Sequence, residues 1–318
     1  MLPSFAHNFL LVLLVLNCSS LRRPDPDAFA RAAANGQTET LQTYLKNGAN
    51  PNVPNRHQVY PLRLAATWGH TEAVQLLLNS GADTNAQGSG SQNRGTALEG
   101  AASSGHMDTV KLLLSRGADA NLSAPVVGAA SNGHIEIVRL LLQNGANANA
   151  ENKDHTTALF EATKSGHIEI VRLLLASHAN VHWEAKGARN RSALVMASAQ
   201  GDLKLVKLLL GAGANRKLHT SQSLIAVIGY KDHPEAIQLG ITRLLLKAGA
   251  DPNATDPFGL TVLGMATLYK RSSLVKELLT YGADVNAKDK DGRSALSIAR
   301  EHQFNDIIRM LEKAGAKD

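Results

Sequence analysis

The chain has one cysteine, Cys18, in 318 residues. Neither an intrachain disulfide nor a cysteine-rich zinc site is therefore open to it. Aromatic residues are scarce at 4%, so a core must be built from Leu, Ile, Val and Ala, which suits thin helices packed at close range. Long apolar runs are missing too. The one continuous run, Phe9 to Leu16, falls well short of the about 20 residues a membrane-spanning helix needs. No H-x-x-x-H helix motif, glycine-rich phosphate loop, G-x-S-x-G elbow or dinucleotide fingerprint occurs. Glu99, Glu161 and Asp202 do not stand at a helical spacing that would set two acids across a cleft. No reaction class is written in these absences, and no cofactor or metal site is expected.

The Phe9–Leu16 run has the length of a signal-peptide core, with a cleavage region at Asn17-Cys18-Ser19-Ser20. Against that reading, residues 1 to 8 carry no Lys or Arg, and the small-x-small cleavage pattern is absent. Residues 1–25 are thus an apolar segment that serves either as a signal or as a cap on the chain beyond residue 25. Two glycosylation patterns, Asn121-Leu122-Ser123 and Asn253-Ala254-Thr255, fall at a recurring turn position where a short amide ties down the backbone. That favours the cytoplasm or nucleus. Secretion or membrane association through residues 1–20 is the alternative.

What the chain does have is repetition. Gly133-His134-Ile135-Glu136-Ile137-Val138-Arg139-Leu140-Leu141-Leu142 returns as Gly166 to Leu175 with the same ten letters. Looser copies end in a Gly-Ala-Asp/Asn motif whose first position falls at 48, 81, 117, 145, 178, 213, 249, 282 and 315, four of the eight spacings being 33. Such a period marks a stacked solenoid, in which each repeat packs only on its neighbours. With these motifs the chain resembles the ankyrin-repeat family over residues 26–318. The resemblance implies an all-α solenoid of about nine helix-turn-helix repeats joined by short β-hairpin finger loops.

Local chemistry supports that expectation. Ala65, Ala101, Ala129, Ala162, Ala197, Ala266 and Ala299 mark one repeat position where a larger side chain would hold the next helix pair away. The glycines at 36, 69, 105, 133, 166 and 201 are expected to be left-handed between helices. His70, His106, His134 and His167 share one position and are expected to hydrogen-bond backbone groups in their own and adjacent repeats, not to form a metal ladder. Three repeats are irregular. The fourth is short, its finger trimmed between Asn121 and Pro125. The sixth carries His182, Trp183 and Arg189 on a lengthened finger. In the seventh, Ser223 to Ile228 should form the first helix, followed by a long loop and a second helix from Pro234 to Leu246.

Choice in a solenoid lies where side chains are not committed to stacking. The family resemblance places those positions at the finger tips and at the ends of first helices, lining a concave groove. The tip candidates are Arg56, His57, Arg94, Lys153, His155, Trp183, Lys186, Arg189, Lys217, His219 and Phe258; the helix-end candidates include Trp68 and Tyr269. Trp and Tyr serve well as binding anchors, although Trp68 could instead cover a neighbouring apolar patch. Net charge is +6. Seven basic residues stand against two acidic ones from Glu184 to Lys217, a local excess of +5, which suggests a protein partner with an acidic segment. Nucleic acid is disfavoured, since interleaved stacking aromatics are missing. The leading expectation is a monomeric, non-catalytic protein-binding module. The alternative is an enzyme or small-ligand protein with a pocket in the sixth and seventh repeats formed by His182, Trp183, His219 and His233.

Overall fold

The computed structural model describes residues 25–89, 95–184 and 192–317. The Phe9–Leu16 run and Cys18 lie outside these residues, as do Arg94, Lys186 and Arg189. The chain divides into two compact bodies, residues 1–150 and 151–318.

The N-terminal body holds four helix pairs: α1 (Pro26–Ala34) with α2 (Thr38–Lys46), α3 (Pro61–Thr67) with α4 (Thr71–Asn79), α5 (Ala97–Ser104) with α6 (Met107–Ser115), and α7 (Pro125–Ser131) with α8 (Ile135–Gln143). The C-terminal body holds five: α9 (Ala158–Lys164) with α10 (Ile168–Ala176), α11 (Ala193–Ala199) with α12 (Leu203–Gly211), α13 (Lys217–Gly229) with α14 (Glu235–Lys247), α15 (Val262–Leu268) with α16 (Ser272–Thr280), and α17 (Ala295–Glu301) with α18 (Asn305–Lys313). Within each body first helices pack on first helices, second on second, and each helix on its own partner.

Helices of seven or nine residues are too short to persist alone in water, so their ends and their packing must hold them. Pro26, Pro61 and Pro125 open α1, α3 and α7 at the first turn, where a missing N–H is harmless. Elsewhere a hydroxyl caps the helix: Thr96 accepts from the Glu99 N–H and Thr261 from the Gly264 N–H, each worth about 1 kcal/mol. The packing surface is small and regular. All seven repeat alanines, from Ala65 to Ala299, have no exposed surface. In the Leu-Leu-Leu runs the central residue, as at Leu77, Leu141 and Leu174, is wholly buried and its two neighbours are partly so. One helix flanked on both sides and by its own partner accounts for that triple.

For three of the four histidines expected at this position the backbone contact is present. Nε2 of His70 lies 3.0 Å from the Ala34 carbonyl, that of His106 3.0 Å from Thr67 and that of His134 3.2 Å from Ser103. Each accepting carbonyl belongs to the end of the preceding repeat's first helix, where no intrahelical donor remains. The preceding repeat's glycine makes room for the ring. Gly69 has φ +72°, and a Cβ there would sit 2.5 Å from His106 Nδ1.

Among the described residues the expected finger hairpins do not form: there is no β-strand, only the isolated antiparallel bridges Glu151 with Thr157, Thr255 with Thr261 and Lys288 with Ser294. Each loop closes tightly, with one cross-loop backbone bond, such as Asn152 N–H to the Thr156 carbonyl at 3.0 Å, and a side chain. Asn152 Oδ1 accepts from the Asp154 and Thr156 N–H groups, Asp256 Oδ1 from Phe258 and Leu260, and Asp289 Oδ1 from Asp291 and Arg293. An Asx turn of this kind satisfies the backbone within one loop, which leaves little for a strand ladder. A second amide ties repeat to repeat. Asn52 donates to the Gly81 carbonyl at 2.8 Å and accepts from the Asp83 N–H at 2.7 Å. Asn121 bridges Gly145 and Asn147 at 3.1 and 2.7 Å, and Asn253 accepts from the Asp284 N–H. Both glycosylation-pattern asparagines are thus committed to the stack.

The seventh repeat departs furthest from expectation. Its first helix begins at Lys217, six residues before Ser223, and runs for 13 residues. From Arg216 to Ile228 the sequence has no Gly, Pro, Asn or Asp, so nothing turns the chain and helix replaces the finger. The second helix also has 13 residues, starting at Glu235 with Pro234 as its cap. His233 restores the recurring imidazole contact at a distance in sequence that hides it: its Nε2 lies 2.8 Å from the Ala199 carbonyl.

Candidate functional site

In the N-terminal body the helix-end candidate is well presented. Trp68 follows α3, its backbone fixed by an N–H bond to the Leu64 carbonyl at 3.2 Å, while the residue is 64% exposed. Arg56 is held at its base: its N–H donates to Asp27 Oδ1 at 2.8 Å, and its guanidinium stands 3.6 Å from Asp27 Oδ2. The guanidinium also donates to His57 Nε2 at 3.1 Å. These two tip residues therefore form one exposed polar cluster.

In the C-terminal body the candidates separate. Lys153 is exposed in the fifth repeat's loop, and His155 Nδ1 lies 3.5 Å from Glu151 Oε2. Trp183 is engaged instead of free-standing. Its Nε1 donates to Glu151 Oε1 at 2.9 Å, and its ring rests on Phe160 at 5.5 Å. Phe258 is 77% exposed on its Asx loop. Lys290 Nζ donates to the Pro257 carbonyl at 2.7 Å, tying that loop to the next repeat. Tyr269, at the end of α15, is partly buried. Lys217 is the first residue of α13 and pairs with Asp251 at 3.5 Å.

His219 is not a tip residue. It lies inside α13, 2% exposed, because the helix starts earlier than the finger pattern implies. Its Nε2 is 2.8 Å from Glu184 Oε1. His182 occupies the position where other repeats place the bridging Asn, and its ring centroid is 6.5 Å from that of His219. Burial, the Arg216 charge and His219 hold the His182 imidazole below its ordinary pKa. His233 does not join this pair. It stacks on Tyr230 at 5.2 Å and is committed to Ala199. The expected four-residue pocket is therefore divided between two places. Among the described residues, no group of three or more His, Cys, Asp or Glu side chains could hold a metal ion, and no helix is long and apolar enough to cross a membrane.

One feature is not legible in the motifs. A cavity of ≈ 600 Å³ lies between the early turns of α13 and the loop that opens the eighth repeat. It exists because the seventh repeat has helix where a finger belongs; the run lacking turn residues from Arg216 to Ile228 is the available signal.

Comparison with known protein families gives a match to Ankyrin repeats in three copies, over residues 29–124, 126–220 and 235–317. No curated protein matches the chain.

Proposed function

Since the chain belongs to the ankyrin-repeat family, a fold that generally mediates protein–protein interaction, we propose that it is a non-catalytic recognition module whose N-terminal body engages a partner protein through Trp68. The observation that carries this reading is the exposure of that indole, 64%, on a backbone fixed by α3. An apolar ring of this size held in water by a rigid helix end is a ready anchor, because little conformational freedom is lost when it is covered. Arg56 and His57 supply a polar cluster on a loop of the same body. In the C-terminal body Phe258 is the corresponding exposed aromatic. The expected acidic partner segment has weaker support. Lys217 is already paired, and Lys204 and Lys207 lie exposed on the second helix α12.

Affinity capture with the intact chain, compared with Trp68→Ala, tests the proposal. A partner retained by the parent chain should be lost from the variant, with binding weakened by about 2 kcal/mol or more and the far-ultraviolet helical signal unchanged. Equal capture by both would refute the role of Trp68.

A further inference from the structure

The cavity beside α13 has a defined chemistry. Its apolar wall comes from Leu218 and Ile225 on the helix and from Ala254 and Pro257 on the eighth repeat's loop. Leu218 is 60% exposed, an unusual state for a leucine on a helix packed on both sides. The polar side of the cavity holds Ser221, Gln222 and Thr255 and is net acidic. Asp251 and Asp256 both line it, and Lys217 is the one basic residue of the lining. That lysine is held 3.5 Å from Asp251, so one carboxylate charge is left over. Gln222 adds a second demand of the same sign: its Oε1 is buried with no hydrogen-bond partner among the described residues. A buried acceptor without a donor is destabilising, a penalty removed by a ligand that brings an N–H.

We propose that this cavity is a docking site for a basic, short linear segment of a partner protein, seating an arginine or lysine side chain whose neighbouring aliphatic residue lies against Leu218. The argument is charge complementarity. The lining carries two carboxylates against one ammonium; Asp251 is paired with Lys217 and Asp256 Oδ1 holds its own loop, so the Asp256 charge is the uncompensated one, and Gln222 Oε1 is without a partner among the described residues. A long basic side chain meets both halves of the site, because its methylene stem packs on apolar surface while its head reaches the acceptors. The volume of ≈ 600 Å³ lies in the range of ordinary ligand sites. This inference rests on the reading of the chain as a recognition module and names a second site, in the C-terminal body, with its own specificity.

Selection of a phage-displayed random heptapeptide library on the intact chain, followed by fluorescence polarisation with the selected peptides, provides the test. Peptides with an Arg or Lys beside an aliphatic residue should be enriched. Their affinity should fall about tenfold in the double variant Leu218→Ser, Gln222→Met, and rise in Lys217→Glu, which removes the one positive charge. Leu218 and Lys217 are largely exposed, so folding of their single variants gives an independent check through Leu218→Ser alone. Enrichment of acidic peptides, binding indifferent to these substitutions, or no enriched peptide would each overturn the proposal. If Trp68-dependent capture persists in any of those cases, the general recognition reading stands and this site alone fails.

Discussion

At the scale of single residues, the glycine and histidine positions separate two costs that usually arrive together. Gly69 and Gly81 both have positive φ, +72° and +84°, but a Cβ at Gly69 would strike His106 at 2.5 Å while one at Gly81 meets nothing within 4 Å. Alanine at either position carries the left-handed penalty of about 1–2 kcal/mol. Only Gly69→Ala must also displace the imidazole from the Thr67 carbonyl, adding about 1 kcal/mol for a lost hydrogen bond. Urea unfolding should therefore place the Gly69→Ala midpoint below that of Gly81→Ala, with the same slope. Equal midpoints would mean that the imidazole contact contributes nothing. His182 gives a pH prediction. Its pKa is lowered in the folded state by burial, Arg216 and His219, so the unfolded chain takes up the proton first. Stability contributed by the neutral ring is fully present above the unfolded pKa of about 6.5 and is lost as pH falls from there through the lower folded pKa. His182→Asn, which restores the bridging residue of other repeats, should flatten the decline in melting temperature between pH 7 and pH 5. An unchanged slope would assign that pH dependence to other groups.

At the scale of elements, most of the fold is readable because its causes are local. Ala at the contact position, Gly at the turn and the leucine triple each report a neighbour at fixed distance: the structure buries the alanines and the central leucines and gives the glycines positive φ, as the pattern requires. The loops are less legible. Their Asn and Asp residues signal turns, but do not say how far the backbone then pairs; here Asn152, Asp256 and Asp289 each close a tight loop with one backbone bond and their own side chain, and the pairing stops at a single bridge. The start of α13 is hidden for the opposite reason. The Gly213-Ala214-Asn215 motif announces a finger, and only the lack of any later breaker shows that helix begins at once. The same motif misplaces His219 and conceals the cavity. Rarity alone singles out Trp68, whereas Trp183, equally rare, proves to be held by Glu151 and Phe160. One element-scale test is direct. Ala162 has no exposed surface, so Ala162→Leu should destabilise by about 1–3 kcal/mol through overpacking. An unchanged denaturant midpoint would remove that residue from the contact between repeats.

At the scale of the whole molecule, no single core holds either body; each repeat is held by the next. Stability should then vary along the chain. In the C-terminal body α16 packs against both α14 and α18, while α18 has only α16 and its own partner α17 beside it. Native-state hydrogen exchange should show amides of α18 exchanging faster than those of α16, and uniform protection across both would contradict nearest-neighbour stacking. The imidazole contacts allow the same gradient to be followed by chemistry. In His70 and His106 one ring nitrogen faces a glycine and the other a carbonyl, so acylation should be slowed at both while the junction is closed. The exposed ring of His155 reacts at once and sets the intrinsic rate. Each junction that uses this contact carries its own clock, and the delay in labelling its histidine measures how seldom that one seam opens.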